Sequence, residues 1–186
     1  SDNGAEASGS ADPDGFITSR QTSALGYNTD YETLGLKGSY NTISPSFASA
    51  AVSPLAYYKF YAGEGGMRVP MIARWPGRIP AGGTCNELSS TMDFLPTFTA
   101  LSDGLLSVNK IDGHDITPLL TGTKGAASPY EVFYYYRRRQ LQAVRWGDWK
   151  WHLPLANTFP NWTTANQKGR GRPGKLVNLK TDLVVV

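Results

Sequence analysis

An acid beside an amide, Asp2-Asn3, then Gly4, and a lysine set among aromatic residues, Ala56-Tyr57-Tyr58-Lys59-Phe60-Tyr61-Ala62, are the residues of this chain whose types could do chemistry together. Asp2 and Asn3 offer a carboxylate and an amide carbonyl, hard oxygen donors of the kind that Ca²⁺ or Mg²⁺ takes. A lysine held between rings is partly removed from water, which favours either a lowered pKa or an anion bound beside its ammonium group. A divalent cation and a fixed ammonium group together suit an anionic ester whose breaking bond releases charge. Each half also has an ordinary reading: Asp-Asn-Gly is common turn chemistry, and a lysine among aromatics can snorkel to water or lie over a ring.

Other groups are weaker candidates. Glu64 and Arg68 flank Gly65-Gly66 and read as a local ion pair across a tight turn. Asp112-Gly113-His114-Asp115 reads as an exposed turn with His114 as a loop residue, and His152 alternates with Trp149 and Trp151 as a packing residue on a strand. Two histidines and the lone Cys85, far apart in sequence, do not make a zinc site, and one cysteine excludes disulfide frameworks and Cys-x-x-Cys pairs within the chain.

The elements that must position Asp2, Asn3 and Lys59 are unevenly legible. In an open α/β sheet, ligands gather beyond the carboxyl ends of strands, so Asp2-Asn3-Gly4 directly after an apolar strand would put both oxygens there. From residue 4 to about residue 53 no convincing period of 2 or 3.6 is present, and a structureless run of that length is expected to wrap around further protein. Residues 68–75, Arg-Val-Pro-Met-Ile-Ala-Arg-Trp, read as a buried strand starting near a sheet margin at Pro70. Asp93 reads as the cap of a helix with Phe94, Leu95, Phe98 and Leu101 on one stripe and Gly104 as its stop. Thr117-Pro118-Leu119-Leu120-Thr121-Gly122 reads as one short helical turn. Residues 131–136, 141–146 and 149–153 read as strands, the last two joined at Gly147-Asp148 in a glycine-first type II′ hairpin, with 175–179 as a fourth.

The 186 residues, 40% of them apolar, suffice for one core, and the net charge of +3 is small for a nucleic-acid binder. No apolar run approaches the roughly 20 residues that span a bilayer, and no signal-peptide pattern is present. Asn161-Trp162-Thr163 is a formal glycosylation sequon.

Several motifs in fixed order carry a family resemblance. They are Ser1-Asp2-Asn3-Gly4-Ala5-Glu6; Ser53-Pro54-Leu55-Ala56-Tyr57-Tyr58-Lys59; Glu64-Gly65-Gly66-Met67-Arg68-Val69-Pro70 running on to Arg74-Trp75-Pro76-Gly77; and Met92-Asp93-Phe94-Leu95-Pro96-Thr97. Asp112-Gly113-His114-Asp115, Pro118-Leu119-Leu120-Thr121-Gly122, Ala143-Val144-Arg145-Trp146-Gly147-Asp148-Trp149-Lys150 and Leu179-Lys180-Thr181-Asp182 follow. On these the chain resembles the sulfatase family, its arylsulfatase branch, within the alkaline-phosphatase-like superfamily.

The resemblance implies an α/β fold: the C-terminal part of an alkaline-phosphatase-like α/β sandwich over residues 1–125, then a small C-terminal antiparallel sheet, packed with a helix, over 126–186. It implies sulfuric ester hydrolysis, with Asp2 and Asn3 as ligands of Ca²⁺ (or Mg²⁺) and Lys59 as the catalytic, sulfate-contacting lysine. The family's formylglycine arises from a Cys-x-Pro-Ser-Arg motif or its serine version. Neither occurs here; Ser44-Pro45-Ser46-Phe47 lacks the arginine and Cys85 has other neighbours. The upstream paired aspartates, the second lysine and the histidines are also absent. The chain is therefore expected to be the C-terminal portion of the enzyme, inactive alone. Its implied partners are the missing N-terminal part and a sulfate-ester small molecule or sulfated glycan, with neither nucleic acid nor membrane. By the same resemblance the compartment would be periplasmic, extracellular or lysosomal in type; the residues themselves leave it undetermined. Two other readings stay open. One keeps the fold for phosphate or phosphonate esters, and the other is a non-enzymatic polyanion binder using Arg137-Arg138-Arg139 and the basic stretch 168–175.

Overall fold

The computed structural model describes residues 3–6, 24–28, 30–40, 43–106, 110–137, 139–155, 173–181 and 184–185. The chain forms two units, one of Ser1–Val69, Tyr134–Val144 and Trp149–Val186, the other of Pro70–Phe133 and Arg145–Asp148. The sequon and residues 168–172 of the basic stretch lie outside the described residues.

A sheet ordered β1-β2-β3-β4-β5 is built from β1 (Val132–Arg137), β2 (Gln140–Trp146), β3 (Trp149–His152), β4 (Lys175–Asn178) and β5 (Val184–Val185). Its strands are rich in Val, Tyr, Phe and Trp, which suit a pleated, half-buried surface. Gly147 adopts φ +55° between β2 and β3, the left-handed conformation that a glycine-first two-residue turn requires. β3 and β4 pair antiparallel, with Lys150 opposite Val177, and β4 pairs antiparallel with β5. The four strands read from the sequence are therefore present within a residue or two. The two-residue β5 is added at the edge, too short to signal itself by pattern.

The stretch read as structureless holds a helix, α1 (Ser44–Val52). Its sequence, Ser-Pro-Ser-Phe-Ala-Ser-Ala-Ala-Val, has little apolar contrast between faces, so no period shows. Proline in the first turn and three alanines nonetheless favour a helix, and Ala48 is fully buried. Upstream, Asn28 closes a loop onto residues 30–38. Its side-chain oxygen accepts from the Asp30 amide (3.1 Å) and the Thr33 hydroxyl (2.6 Å), and its amide NH₂ donates to the Gly38 carbonyl (3.3 Å).

The second unit is organised by a buried acid. Ser90 and Asp93 form a reciprocal capping box on the 3₁₀ turn Thr91–Asp93: the Ser90 amide donates to Asp93 Oδ2 (2.7 Å), and the Met92 amide to Ser90 Oγ (3.3 Å). Asp93, wholly buried, also accepts from the His114 amide (2.9 Å) and from the Tyr130 hydroxyl. Asp93 thus serves the preceding turn and distant backbone; it makes no side-chain cap on the helix α3 (Phe94–Leu101) that follows.

The structure departs from the sequence reading at residues 68–75, 94–101 and 115–117. Residues 68–75 form no strand among the described residues, and Ile72 is 95% exposed, so the run is neither paired nor buried. Pro70 removes one ladder donor, and an apolar run becomes a strand only where a neighbouring strand accepts its hydrogen bonds. On α3 the apolar stripe faces outward. Leu95 and Phe98 are exposed, whereas Pro96 and Thr97 are buried. The polar link decides the orientation: the Thr97 hydroxyl accepts from the Ile116 amide (3.0 Å) and donates to the His114 carbonyl (3.4 Å). Beyond it, α4 (Thr117–Leu120) starts one residue off the expected cap, since Asp115 Oδ1 accepts from both the amide (2.8 Å) and the hydroxyl (2.6 Å) of Thr117.

Burial, then the hydrogen bond to and the negative charge of Asp93, and then the charge of Asp112, raise the Tyr130 phenol well above the ordinary tyrosine range. A phenol whose pKa is raised by folding contributes stability that is fully present below its unfolded value of about 10 and is lost as pH climbs beyond it. Urea unfolding at pH 9 and pH 11 should show stability falling with pH. Tyr130→Phe should cost about 1 kcal/mol at pH 7 and flatten part of that fall; an identical fall in wild type and variant would contradict this.

Candidate functional site

Three short segments of the first unit meet around Lys59. The Gly4 amide donates to the Gly66 carbonyl (2.9 Å), and the Lys59 amide donates to the Ala5 carbonyl (3.1 Å). Residues 3–6 therefore lie along the turn that carries the lysine. The turn is folded on itself as well: the Gly65 amide donates to the Ala56 carbonyl (2.9 Å) and the Met67 amide to the Gly63 carbonyl (3.2 Å), opening the four-residue helix α2 (Glu64–Met67).

Glycine makes this approach possible. A β-carbon on Gly4 would stand 1.8 Å from the Gly65 carbonyl oxygen, one on Gly65 2.0 Å from the Tyr57 carbonyl oxygen, and one on Gly66 2.3 Å from that of Tyr61. No side chain fits where backbone meets backbone so closely. The residues around Lys59 are also strained: Tyr57 has φ +67° and Phe60 φ +81°, left-handed conformations rarely taken by bulky residues. Such strain persists only where surrounding contacts impose it, and it concentrates at functional sites. Here the Tyr57 and Tyr61 rings stack at 4.8 Å, and Tyr58 meets Tyr61 edge-on at 5.3 Å.

The Lys59 ammonium group, about one-third exposed, lies 2.5 Å from Glu6 Oε2 and 5.3 Å from the centroid of the Phe60 ring. The ring contact foreseen from the aromatic neighbours is thus present, together with an acidic partner from the opening segment. Asn3 is half-buried beside this segment, and Asp2 lies outside the described residues. Among the described residues, no three of His, Cys, Asp and Glu cluster as a metal site.

Residues 56–147 match the family profile described as N-sulphoglucosamine sulphohydrolase, C-terminal. Arylsulfatase H of Homo sapiens is 38% identical over 109 residues, which are 55% of this chain and 19% of that protein. Steryl-sulfatase of Homo sapiens is 45% identical over 84 residues, 45% of this chain and 14% of that protein. Among solved structures, the PsFucS1 sulfatase from Pseudoalteromonas sp. superposes with a TM-score of 0.52 at 31% identity, over 65% of this chain and 25% of its own. Residues 56–147 are thus similar to the C-terminal segment of sulfatases.

This segment contains Lys59 and the Gly65-Gly66 turn, whereas Asp2 and Asn3 precede it. The chain spans about a fifth of the length of the curated relatives it matches. Its α/β character, helices with a C-terminal antiparallel sheet, is shared with that solved sulfatase.

One reading of the turn needs correcting. Glu64 does not pair with Arg68 but with Lys150, 86 residues away, whose ammonium group reaches Glu64 Oε1 at 2.8 Å. Lys150 is fully buried and lies 3.7 Å from the centroid of the Tyr135 ring. Alternation along Trp149-Lys150-Trp151-His152 puts Lys150 on the face opposite both tryptophans, the one signal in the sequence that could have revealed it. His114, half-exposed, meets Tyr130 edge-on at 4.9 Å within the second unit, as a loop residue.

Gly65→Ala should destabilise the first unit by about 1–3 kcal/mol, because backbone oxygens cannot withdraw as side chains do. Chemical denaturation of the variant checks this. A cost below about 0.5 kcal/mol would mean that the Tyr57 carbonyl is not where the geometry puts it.

Proposed function

We propose that the chain supplies part of the active site of a sulfuric ester hydrolase of arylsulfatase type, acting on the sulfate ester of a small molecule or glycan. The observation that carries this reading is the pairing of residues 3–6 with the strained, glycine-walled turn of Lys59. It brings the neighbourhood of the acid-amide couple to the lysine across more than fifty residues of sequence. The relatives named arylsulfatase and steryl-sulfatase support sulfate esters over phosphate or phosphonate esters as the substrate class. In this reading residues 1–125 belong to the catalytic α/β domain and 126–186 to a small C-terminal subdomain.

Asp2 and Asn3 are the residues that would hold a divalent cation, Ca²⁺ or Mg²⁺. Their hard oxygens fit such an ion but fill only part of a shell of about 6–8, so further ligands come from the rest of the enzyme. The chemistry such a cation would supply there is Lewis-acid polarisation of the sulfate oxygens. The nucleophile, a formylglycine, likewise belongs to residues outside these 186.

Lys59 binds a sulfate oxygen and stabilises the charge that grows as the S–O bond breaks. Glu6 is its resting partner. Both side chains are partly exposed, at 32% and 41%, so their pair is worth no more than about 1 kcal/mol, and an anion also held by a cation displaces it readily. The Phe60 ring, 5.3 Å from the ammonium group, restricts the lysine's swing, so that less ordering remains to be done when substrate arrives.

In the complete enzyme, Lys59→Ala should lower kcat for 4-nitrophenyl sulfate by about 10²–10³. Unchanged turnover would remove Lys59 from the chemistry. The purified 186-residue chain alone should hydrolyse no sulfate ester, since it lacks the nucleophile's motif; clear turnover by it would refute the assignment of the nucleophile elsewhere.

A further inference from the structure

Lys150 has no role in the reading above, yet it is one of two charged side chains wholly buried among the described residues. We propose that Lys150 is a positioning residue: through Glu64 it latches the Gly63-to-Met67 turn to the sheet and so fixes both Lys59 and the segment that follows Asp2-Asn3. The inference rests on the assignment of Lys59 and the acid-amide couple made above.

Lys150 stands on β3, opposite Val177 of β4, with its ammonium group packed on the Tyr135 ring of β1. That ammonium group reaches Glu64, the first residue of α2. A helix of four residues, two of them glycine, cannot sustain itself, so what holds α2 must come from outside it. Within α2 the Gly66 carbonyl accepts from Gly4, and the Gly65 amide is tied to Ala56, three residues before Lys59. Displacing Glu64 therefore moves the acceptor of Gly4 and the backbone that leads into Lys59.

A buried ion pair is a poor source of net stability, because desolvating both charges offsets most of their attraction. Apolar residues of similar volume would serve packing as well. What they lack is direction: a short ammonium–carboxylate contact at 2.8 Å, walled on one side by an aromatic ring, leaves Glu64 one position.

Lys150→Met alone strands the Glu64 carboxylate and can fail to fold, so the decisive variant is Lys150→Met with Glu64→Gln, which removes both charges of the pair. Amide hydrogen exchange of the 186-residue protein reads the latch directly. The Gly4 and Lys59 amides should exchange at least about tenfold faster in the double variant, while the Ile116 amide, held by Thr97 in the other unit, keeps its rate. Unchanged exchange at Gly4 and Lys59 overturns the latch. Hydrolysis by the complete enzyme separates the two ideas. If Lys59→Ala leaves turnover intact, the assignment of Lys59 fails whatever the exchange data say; if turnover collapses while exchange in the double variant is unchanged, the latch alone is wrong.

Discussion

Backbone meeting backbone at the distance that only glycine allows is the constraint on which the candidate site depends. Residues 3–6 reach the Lys59 turn because Gly4 leaves room for the Gly65 carbonyl oxygen, and the turn closes on itself because Gly65 and Gly66 leave room for those of Tyr57 and Tyr61. Two consequences follow from that contact. The opening segment gains hydrogen-bond partners that its own sequence does not supply, and the turn is pressed into the left-handed conformations seen at Tyr57 and Phe60. Lys59 thus sits on a backbone defined on both sides, by Ala5 through its own amide and by the folded turn after it.

Each unit is also tied together by one buried charge. In the first, Lys150 bridges Glu64 and the Tyr135 ring; in the second, Asp93 gathers the amides of Ser90 and His114 and the Tyr130 hydroxyl. The buried apolar set among the described residues is short: Ala48, Ile116, Leu119, Tyr135 and Ala143. Polar links of this kind fix direction more sharply than apolar contacts do, because a hydrogen bond has one good geometry and hydrophobic burial has many. The outward-facing stripe of α3 shows the rule at work. Thr97 turned inward to bond Ile116 and His114, although Leu95 and Phe98 had the stronger hydrophobic claim.

What could be read from the sequence sorts by the range of the forces involved. The hairpin at Gly147-Asp148, the strands around it and the short helix at Pro118 were legible because turn chemistry and period-2 alternation act within a few residues. α1 was missed because a helix of alanine and serine carries propensity without periodicity. Residues 68–75 were over-read, since β-rich composition says that a strand can form and nothing about whether a partner is present. Lys59 was singled out by its aromatic neighbours, a local cue. Its Glu6 partner and the Glu64–Lys150 pair were not foreseen, for contacts across 53 and 86 residues leave no trace in local composition.

The central claim is that Lys59 and the acid-amide couple face one anion. A crystal structure of the complete enzyme with Ca²⁺ and an unreactive sulfate-ester analogue tests it most directly. The Lys59 ammonium group should leave Glu6 and lie within about 2.7–3.2 Å of an oxygen of the bound group, with Asp2 and Asn3 among the ligands of the cation. An analogue bound elsewhere, with Lys59 still on Glu6 and the couple turned away, would contradict it.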